Sequence, residues 1–250
     1  MIDLSGDPGT LAPAVSVVVP VRNEAGNVTP LVAEIAAALA GRRFEVIYVN
    51  DGSSDTTEVE LKALQAQHPW LRQVKHAQSC GQSAALRTGI VAARGGIVVT
   101  LDGDGQNDPA FLPKLVDALE QGAPKIGLIA GQRVGRKATG FKRFQSRVAN
   151  AVRGAILRDG TRDSGCGLKA FPREIGLALP YFDGLHRFLP ALVRREGKDI
   201  GYVDVVDRPR RHGTSNYGFW DRLWVGILDL AGVWWLIRRS KRMPQSTEIS

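Results

Sequence analysis

The amino-acid sequence predicts an α/β fold in which helices cover both faces of a mostly parallel central sheet. The first observation is that short β-branched runs alternate with segments of helical apolar spacing from residue 14 to about residue 130. The second is a globular composition, with 44% hydrophobic and 23% charged residues among 250. This composition excludes a mainly disordered chain and a collagen-like repeat. The length suits one large domain or two small ones.

Each strand and helix of the first half follows from a local pattern. Residues 14–20 are a β-branched run closed by a proline, which predicts a buried strand. Residues 27–40 place apolar side chains at helical spacing and stop at Gly41, which predicts a helix. By the same criteria we expect further strands at residues 44–49, 71–76, 96–101 and 127–130, and further helices at residues 55–67, 83–93 and 111–120.

The pattern changes after residue 131. We expect a helix at residues 141–157, a loop running into a strand at 163–171, a helix at 185–195, a strand at 200–206 and a loop at 212–217. The predicted organisation is a loose tail over residues 1–14, one domain over 15–217, a helix with a basic end over 218–242 and a second tail over 243–250.

Features that report on the cell compartment favour the cytosol. The first residues lack a basic stretch followed by an apolar run, so no signal peptide is expected. Cys80 and Cys166 are too few for a disulfide scaffold and lack the spacing of a zinc site. A reducing compartment is the simpler interpretation.

The segment of residues 220–242 predicts contact with a membrane surface. Residues 223–237 are apolar apart from Asp229 and two glycines. As a helix they would span roughly 22 Å, short of the ~30 Å hydrocarbon core, and Asp229 would cost on the order of 3 kcal/mol at its centre. We therefore predict a helix that lies in the interface, anchored by tryptophans and a basic end. A core or oligomer-interface helix is the alternative.

Charge is divided unevenly along the chain. Residues 1–125 hold 10 Lys/Arg and 14 Asp/Glu, a net of −4, whereas residues 126–250 hold 23 and 11, a net of +12. A basic half favours an anionic partner such as a phosphate, an anionic lipid or a nucleic acid. A solubilising charge excess is the alternative.

Polar residues that follow three predicted strands should gather at one edge of the sheet, where ligands of such folds bind. Asp102 and Asp104 follow the strand at 96–101, and at this spacing both can reach one hard cation such as Mg²⁺ or Mn²⁺. Gln106 offers a further oxygen. A pair of solvated turn carboxylates is the alternative for this motif alone.

The other two clusters favour a nucleotide. Asn23 and Glu24 follow the first strand and could hydrogen-bond a ribose or base, and Asp51 follows the second strand and could accept from a base N–H. Helix capping is the alternative for each, and for Asp55 in particular.

Four motifs occur in a characteristic order: Pro20-x-x-Asn23-Glu24, Asp51-Gly52-Ser53-x-Asp55, Gly81-x-x-x-Ala85-x-x-x-Gly89 and Asp102-x-Asp104-x-Gln106-Asn107-Asp108-Pro109. The order is typical of family 2 glycosyltransferases. Later segments resemble the dolichyl-phosphate or polyprenyl-phosphate sugar transferase branch: Gly131-x-Arg133, residues 163–171, His186-Arg187-Phe188-x-Pro190 and residues 208–217. The resemblance covers about residues 15–217, and the ordered set carries it.

The resemblance implies a GT-A fold, a nucleotide-sugar donor and Mg²⁺ or Mn²⁺ held by Asp102, Asp104 and Gln106. It implies nucleotide-sugar binding by Pro20, Asn23, Glu24, Asp51, Ser53, Gln82, Asp102, Gly103 and Asp104. By similarity, the acceptor phosphate would meet Arg133, Lys142, Arg143 and Ser146. Two residues depart from the family pattern: Asn50 stands where many relatives have aspartate, which leaves the base contact open, and Gly105 replaces an apolar residue.

A phosphate acceptor shapes the predicted mechanism. Its second pKa is about 6, so it is mostly dianionic at pH 7 and needs little help from a base. The protein must instead hold two anions together, with the metal screening one and basic residues the other. This predicts an inverting single displacement without a covalent sugar–enzyme intermediate. The expected catalytic residues are Asp102, Asp104, Arg133 and, if a base exists, Asp163.

Arg208, Arg210 and Arg211 are expected to clamp the acceptor, with a solvated basic face as the alternative. The predicted function is thus transfer of a sugar from a nucleotide sugar to a polyprenyl (undecaprenyl or dolichyl) phosphate at the cytoplasmic face of the membrane. A family 2 transferase with a saccharide or other hydroxyl acceptor is the alternative.

Other classes of protein are disfavoured. A nucleic-acid partner is not expected because the aromatic residues collect near the C-terminus instead of alternating with Lys and Arg. A dinucleotide oxidoreductase is disfavoured because no G-x-G-x-x-G follows the first strand. The intact Asp102/Asp104 pair speaks against a catalytically silent scaffold.

Overall fold

A seven-stranded sheet forms the centre of the computed structural model, which describes residues 12–134, 153–161, 163–209 and 219–239. The strands are β1 (Val15–Val21), β2 (Phe44–Asn50), β3 (Leu71–Lys75), β4 (Ile97–Thr100), β5 (Ile126–Arg133), β6 (Lys169–Pro172) and β7 (Asp199–Val205). The helices are α1 (Val28–Ala38), α2 (Thr57–Gln65), α3 (Gln82–Ala92), α4 (Leu112–Gly122), α5 (Arg173–Ala178), α6 (Leu185–Arg195) and α7 (Phe219–Arg238), with a 3₁₀ turn at Pro109–Phe111.

The sheet is mostly parallel, as predicted. Its order is β3-β2-β1-β4-β6-β5-β7, and β1 pairs in parallel with both β2 and β4. Only β6, among the strands described, runs against its neighbours, β4 and β5. Crossover helices between successive parallel strands are what such pairing requires. The carboxyl ends of β1, β2 and β4 therefore lie side by side.

Both faces of the sheet are covered, which explains why apolar residues occupy successive positions at the centre of β1. Val17 and Val19 point into a core formed with α1, α2 and α4. Val18 points to the opposite face, into a core formed with α3, α5 and α6. All three side chains are fully buried.

Helix α7 lies against α6 and leaves an apolar face uncovered. Val233 is buried in the core that includes α6, and Arg195 of α6 donates from Nε to the Leu236 carbonyl oxygen at 3.2 Å. Leu228 and Trp235 are 71% and 54% exposed. None of the helices in the described ranges combines the length and apolar character that a membrane crossing needs. A helix at Phe219–Arg238 lies within the predicted segment, and its place in the membrane interface stays a prediction.

Some predictions concern parts of the chain that the structure does not describe. Of the helix expected at residues 141–157, residues 153–157 are described and are helical. The loop at 212–217 and both tails, apart from residues 12–14, lie outside the described residues. The division into one domain, a helix and two tails stays a prediction.

Candidate active site

The three polar clusters meet at one edge of the sheet, as the sequence predicts. Val21 at the end of β1 is paired with Asn50 at the end of β2, and Val18 is paired with Thr100 at the end of β4. The residues that follow these strands thus share one edge. This edge also carries the cavity described below.

Asp102 occupies the centre of the site. Its backbone N–H donates to Asn107 Oδ1 at 3.2 Å, and Gln82 Nε2 donates to Asp102 Oδ1 at 3.0 Å. Burial, together with the charge of Asp104, raises the pKa of Asp102 to about 6 against the opposing charge of Lys169. The two carboxylates therefore repel each other in a half-buried setting, which is the environment that a bound cation relieves.

The surroundings of this pair fit a hard divalent cation. Asp104 Oδ1 accepts from the Gln106 N–H at 3.1 Å, which holds the turn between them. A Cβ at Gly167 would lie under 3.0 Å from the Asp102 carboxylate, so the backbone closes tightly around it. Mg²⁺ and Mn²⁺ prefer carboxylate and amide oxygens and keep open positions for phosphate and water. Asp102, Asp104 and Gln106 offer carboxylate and amide oxygens of this kind as ligands.

Lys169 is a buried cation beside Asp102 that the sequence analysis did not single out. It begins β6, its Nζ donates to the Cys166 carbonyl oxygen, and burial lowers its pKa. Its charge stabilises the ionised form of Asp102. Lys169 lies within the 163–171 motif, but a lysine in a strand carries no sign that its charge will act on a carboxylate 67 residues earlier in the chain.

Asp51 organises the loop between β3 and α3. Its two carboxylate oxygens accept from His76 Nδ1 at 2.7 Å, Ser79 Oγ at 2.8 Å, and the N–H groups of Cys80 and Gly81 at 2.8 and 2.9 Å. Burial raises the pKa of Asp51, but these hydrogen bonds outweigh it and leave the pKa below its usual value. The carboxylate thus orders the loop that leads to Gln82, and its contact with a base stays a prediction.

The loop that follows β1 is hydrogen-bonded to the loop that follows β2. Asn23 adopts a left-handed backbone conformation, its N–H donates to Ser53 Oγ at 3.0 Å and its Oδ1 accepts from the Ser54 N–H at 2.8 Å. The Glu24 N–H donates to Thr57 Oγ1 at 3.0 Å. Asp55 Oδ1 accepts from the Thr57 N–H at 3.0 Å, although Thr56 and not Asp55 is the N-cap residue of α2.

A cavity of about 420 Å³ opens beside Asp102, within the range of small-molecule sites, roughly 300–1,000 Å³. Its walls bring together groups from the first and second halves of the chain: Pro20, Gln82, Thr100, Asp102, Lys169, Asp183, His186 and Arg187. Of these, only Pro20, Gln82 and Asp102 were among the predicted site residues. His186 and Arg187 do belong to a motif quoted for the family resemblance.

Arg133 and Asp163 are brought together. The guanidinium donates from Nε to Asp163 Oδ2 at 2.6 Å and from its second amino group to Oδ1 at 2.7 Å, and it also approaches Asp207 Oδ2 at 3.3 Å. These bonds raise the pKa of Arg133; burial raises that of Asp163, but the bonds outweigh it and leave that pKa lowered. The pair gives Asp163 a structural contact, while its role as a base and that of Arg133 at a phosphate stay predictions.

Arg208 has partners other than this pair. Its guanidinium donates to Glu34 Oε2 at 2.6 Å and to Asp108 Oδ1 at 2.5 Å, which fastens the chain after β7 to α1. Its role at an acceptor stays a prediction. The other residues expected at the acceptor phosphate lie outside the described residues: Lys142, Arg143, Ser146, Arg210 and Arg211.

Comparison with known proteins places this site in context. Residues 16–176 match the family described as "Glycosyl transferase family 2". The dodecaprenyl-phosphate galacturonate synthase of Rhizobium johnstonii is 37% identical over 91% of this chain and 68% of its own length. The undecaprenyl-phosphate 4-deoxy-4-formamido-L-arabinose transferase of Edwardsiella ictaluri is 33% identical over 82% of this chain and 63% of its own length. The chain thus spans about two thirds of the length of these curated relatives.

Solved structures show the same fold. Glucosyl-3-phosphoglycerate synthase from Mycobacterium tuberculosis, in complex with Mn²⁺, UDP-glucose and phosphoglyceric acid, superposes with a TM-score of 0.67 at 23% identity. The match covers 90% of this chain and 79% of that one. The same enzyme with Mg²⁺ and UDP gives a TM-score of 0.66 at 24% identity, over 91% and 79% of the two chains. The predicted GT-A fold is confirmed.

Proposed function

The chain belongs to glycosyl transferase family 2, and from that premise we propose that it transfers a sugar from a nucleotide-sugar donor to a polyprenyl phosphate with the help of Mg²⁺ or Mn²⁺. The observation that carries the proposal is the Asp102/Asp104 pair at the edge of the sheet, beside a cavity that joins both halves of the chain. The two relatives above are named for transfer to a polyprenyl phosphate, which supports the lipid acceptor.

The metal would be held by Asp102 and Asp104, with Gln106 as a further oxygen donor. When bound, such a cation neutralises charge on the diphosphate of the donor. Gln82 orients the Asp102 carboxylate by donating to its Oδ1, and Lys169 favours its ionised form. Both contacts prepare the carboxylate for a cation.

The remaining chemistry is the placement of two anions. The acceptor phosphate is mostly dianionic at pH 7 and attacks the anomeric carbon without deprotonation by the protein. Basic side chains lower the repulsion between the two phosphates, most strongly where they are preorganised. We therefore propose a single displacement with inversion, and no covalent sugar–enzyme intermediate.

Reaction at a lipid phosphate requires the protein to reach a membrane surface, and α7 supports this. Its outward face exposes Ile227, Leu228, Trp234 and Trp235, and Arg238 stacks on the Trp234 ring at 4.5 Å from its centroid. Tryptophan and arginine together suit the depth of lipid headgroups. We propose that α7 lies in the interface on the cytoplasmic side.

The reaction is tested with purified protein, Mn²⁺ or Mg²⁺, a short polyprenyl phosphate and a panel of nucleotide sugars. Mass spectrometry should find a sugar attached to the lipid phosphate, and Asp104→Asn should abolish it. A matched control is Asp117→Asn, since Asp117 lies on α4 outside the site and pairs there with Arg42. Nucleotide release that needs a saccharide and yields no lipid product would favour the hydroxyl-acceptor alternative instead.

Membrane contact is tested separately by flotation with vesicles that contain anionic phospholipid. Leu228→Asp should reduce the bound fraction, because it places a charge on the exposed face of α7. Val59→Asp is the matched control, since Val59 is 66% exposed on α2, outside the proposed membrane-facing surface. Equal binding of both variants and the wild type would contradict the role of α7.

A further inference from the structure

The first turn of α6 is fastened to α3 through a single buried hydroxyl. Gly184 precedes α6 in a left-handed conformation with φ of +88°, and its N–H donates to Ser83 Oγ at 3.0 Å. The same Ser83 Oγ lies 2.8 Å from His186 Nδ1, and Ser83 is fully buried. The imidazole is therefore held in one orientation by residues that are more than 100 positions apart.

This arrangement favours one tautomer of His186. The Gly184 N–H is shared between Ser83 Oγ and Asp183 Oδ1, and within the described ranges His186 Nδ1 is the acceptor within reach of the Ser83 hydroxyl. A hydroxyl that donates to Nδ1 leaves the proton of the neutral ring on Nε2, and this is the tautomer on which the proposal below depends. Burial lowers the pKa of His186 to about 3, assisted by the charges of Arg187 and Lys169, so the ring stays neutral.

The Nε2–H group has no role within the fold. His186 lines the cavity together with Gln82 and Asp102, and no hydrogen bond joins Nε2 to another residue in the part of the chain that the structure describes. Nε2 is not among the buried side-chain atoms that lack a partner in the described residues, so it is accessible and can donate to a molecule in the cavity. Such a group points to recognition of a bound molecule.

The side of the cavity formed by His186 suits the sugar of the donor better than its phosphates. A neutral N–H group adds little to the binding of an anion beside a metal and several cations, whereas it matches a hydroxyl oxygen well. The diphosphate belongs at Asp102 and Asp104, so the part of the donor that reaches His186 in the same cavity is the sugar. We propose that His186 donates from Nε2 to an oxygen of the donor sugar and thereby selects among sugars, with Ser83 as its positioning residue.

This inference rests on the proposed function and deepens it. A sugar that directs an oxygen to His186 completes the hydrogen bond, whereas an epimer that lacks it leaves a donor unpaired. Sites built to hydrogen-bond a substrate group discriminate in this way.

The test compares binding of free nucleotides with binding of their sugar conjugates, in the presence of Mn²⁺ and without lipid. The probes are UDP and GDP, and UDP-glucose, UDP-galacturonic acid and GDP-mannose, titrated by calorimetry. His186→Asn can still accept from Ser83 but has no donor at the Nε2 position. His186→Gln places an amide N–H near that position and forms the matched variant.

We expect His186→Asn to weaken binding of the preferred nucleotide sugar roughly tenfold, the loss of one hydrogen bond, and to leave binding of the free nucleotide unchanged. His186→Gln should restore most of the loss. An equal loss for nucleotide and nucleotide sugar, or no loss, would overturn the inference. If the wild type binds none of the sugar conjugates, the proposed function fails with it, which is a distinct result.

A second measurement does not depend on the variants of His186 folding well. Nitrogen-15 NMR of the histidine rings of the wild type should show a neutral ring with its proton on Nε2 from pH 5 to 8. In Ser83→Ala that ring should become a mixture of tautomers. A ring that is protonated on Nδ1 in the wild type would overturn the inference.

Discussion

A methyl group added at Gly167 would enter the space held by the Asp102 carboxylate. An ideal Cβ there would lie under 3.0 Å from Asp102 Oδ2 and from Asn107 Oδ1. The backbone at this position cannot retreat easily, because Thr100 Oγ1 donates to the Gly167 carbonyl oxygen at 2.5 Å. Gly167→Ala therefore displaces the carboxylate rather than the chain.

The size of the effect follows from that overlap. Ordinary van der Waals contact begins at 3.4 Å, so the carboxylate must withdraw by about 1 Å. A misplacement of this size at a reacting centre costs about 100-fold in rate. The extra atom also costs about 1–3 kcal/mol of folding free energy, as overpacked sites do.

The assay measures turnover per folded molecule and the affinity for Mn²⁺, with urea unfolding alongside. Gly89→Ala is the matched control, since its Cβ would strike Val18 in the core away from the cavity, and it should lose stability while keeping turnover. Gly96→Ala meets no atom within 4 Å and should change neither quantity. Wild-type turnover and Mn²⁺ affinity in Gly167→Ala would refute the assignment of Asp102.

Three further predictions concern ionisable groups. Arg133→Ala leaves the carboxylate of Asp163 without its bidentate partner and should cost on the order of 3 kcal/mol in urea unfolding; an unchanged midpoint would contradict the pair. Burial raises the pKa of Glu45, but hydrogen bonds from a hydroxyl, a guanidinium and a backbone N–H outweigh it and leave it below 4.5. Its stabilisation is present above that pH and is lost as pH falls through the folded pKa, so Glu45→Gln should be less stable at pH 7 and lose less stability in acid. Burial raises the pKa of Asp229 above 3.8, so its ionisation opposes folding as pH rises, and Asp229→Asn should be more stable than the wild type at pH 7 but not below pH 3.8. Thermal unfolding at pH 7 and below pH 3.8 checks the predictions for Glu45 and Asp229. If the stability of a variant changed with pH in parallel with that of the wild type, the prediction for that residue would be contradicted.

Local patterns were sufficient for most elements of the fold. The β-branched run that predicts a strand at residues 14–20 became β1 at Val15–Val21, and the helical spacing at 185–195 became α6 at Leu185–Arg195. Such patterns report which side chains a strand or helix buries, and this depends on neighbours along the chain. The direction of β6 could not be predicted this way, because a four-residue strand reads alike in either direction.

Part of the candidate site could likewise be predicted from the sequence. The sequence alone determined that polar residues after β1, β2 and β4 share one edge, since parallel strands place their carboxyl ends together. It also determined the family, because the ordered motifs are spread over most of the chain.

Only the tertiary structure decided how these side chains are used. It tied Arg133 to Asp163, saturated Asp51 with donors from the next loop, and placed Lys169 beside Asp102. It also turned His186 toward the cavity with its ring held by a serine 103 positions earlier. The physical reason is that protonation and hydrogen bonding are set by groups that are distant in sequence and adjacent only in the folded chain, which no local spacing encodes.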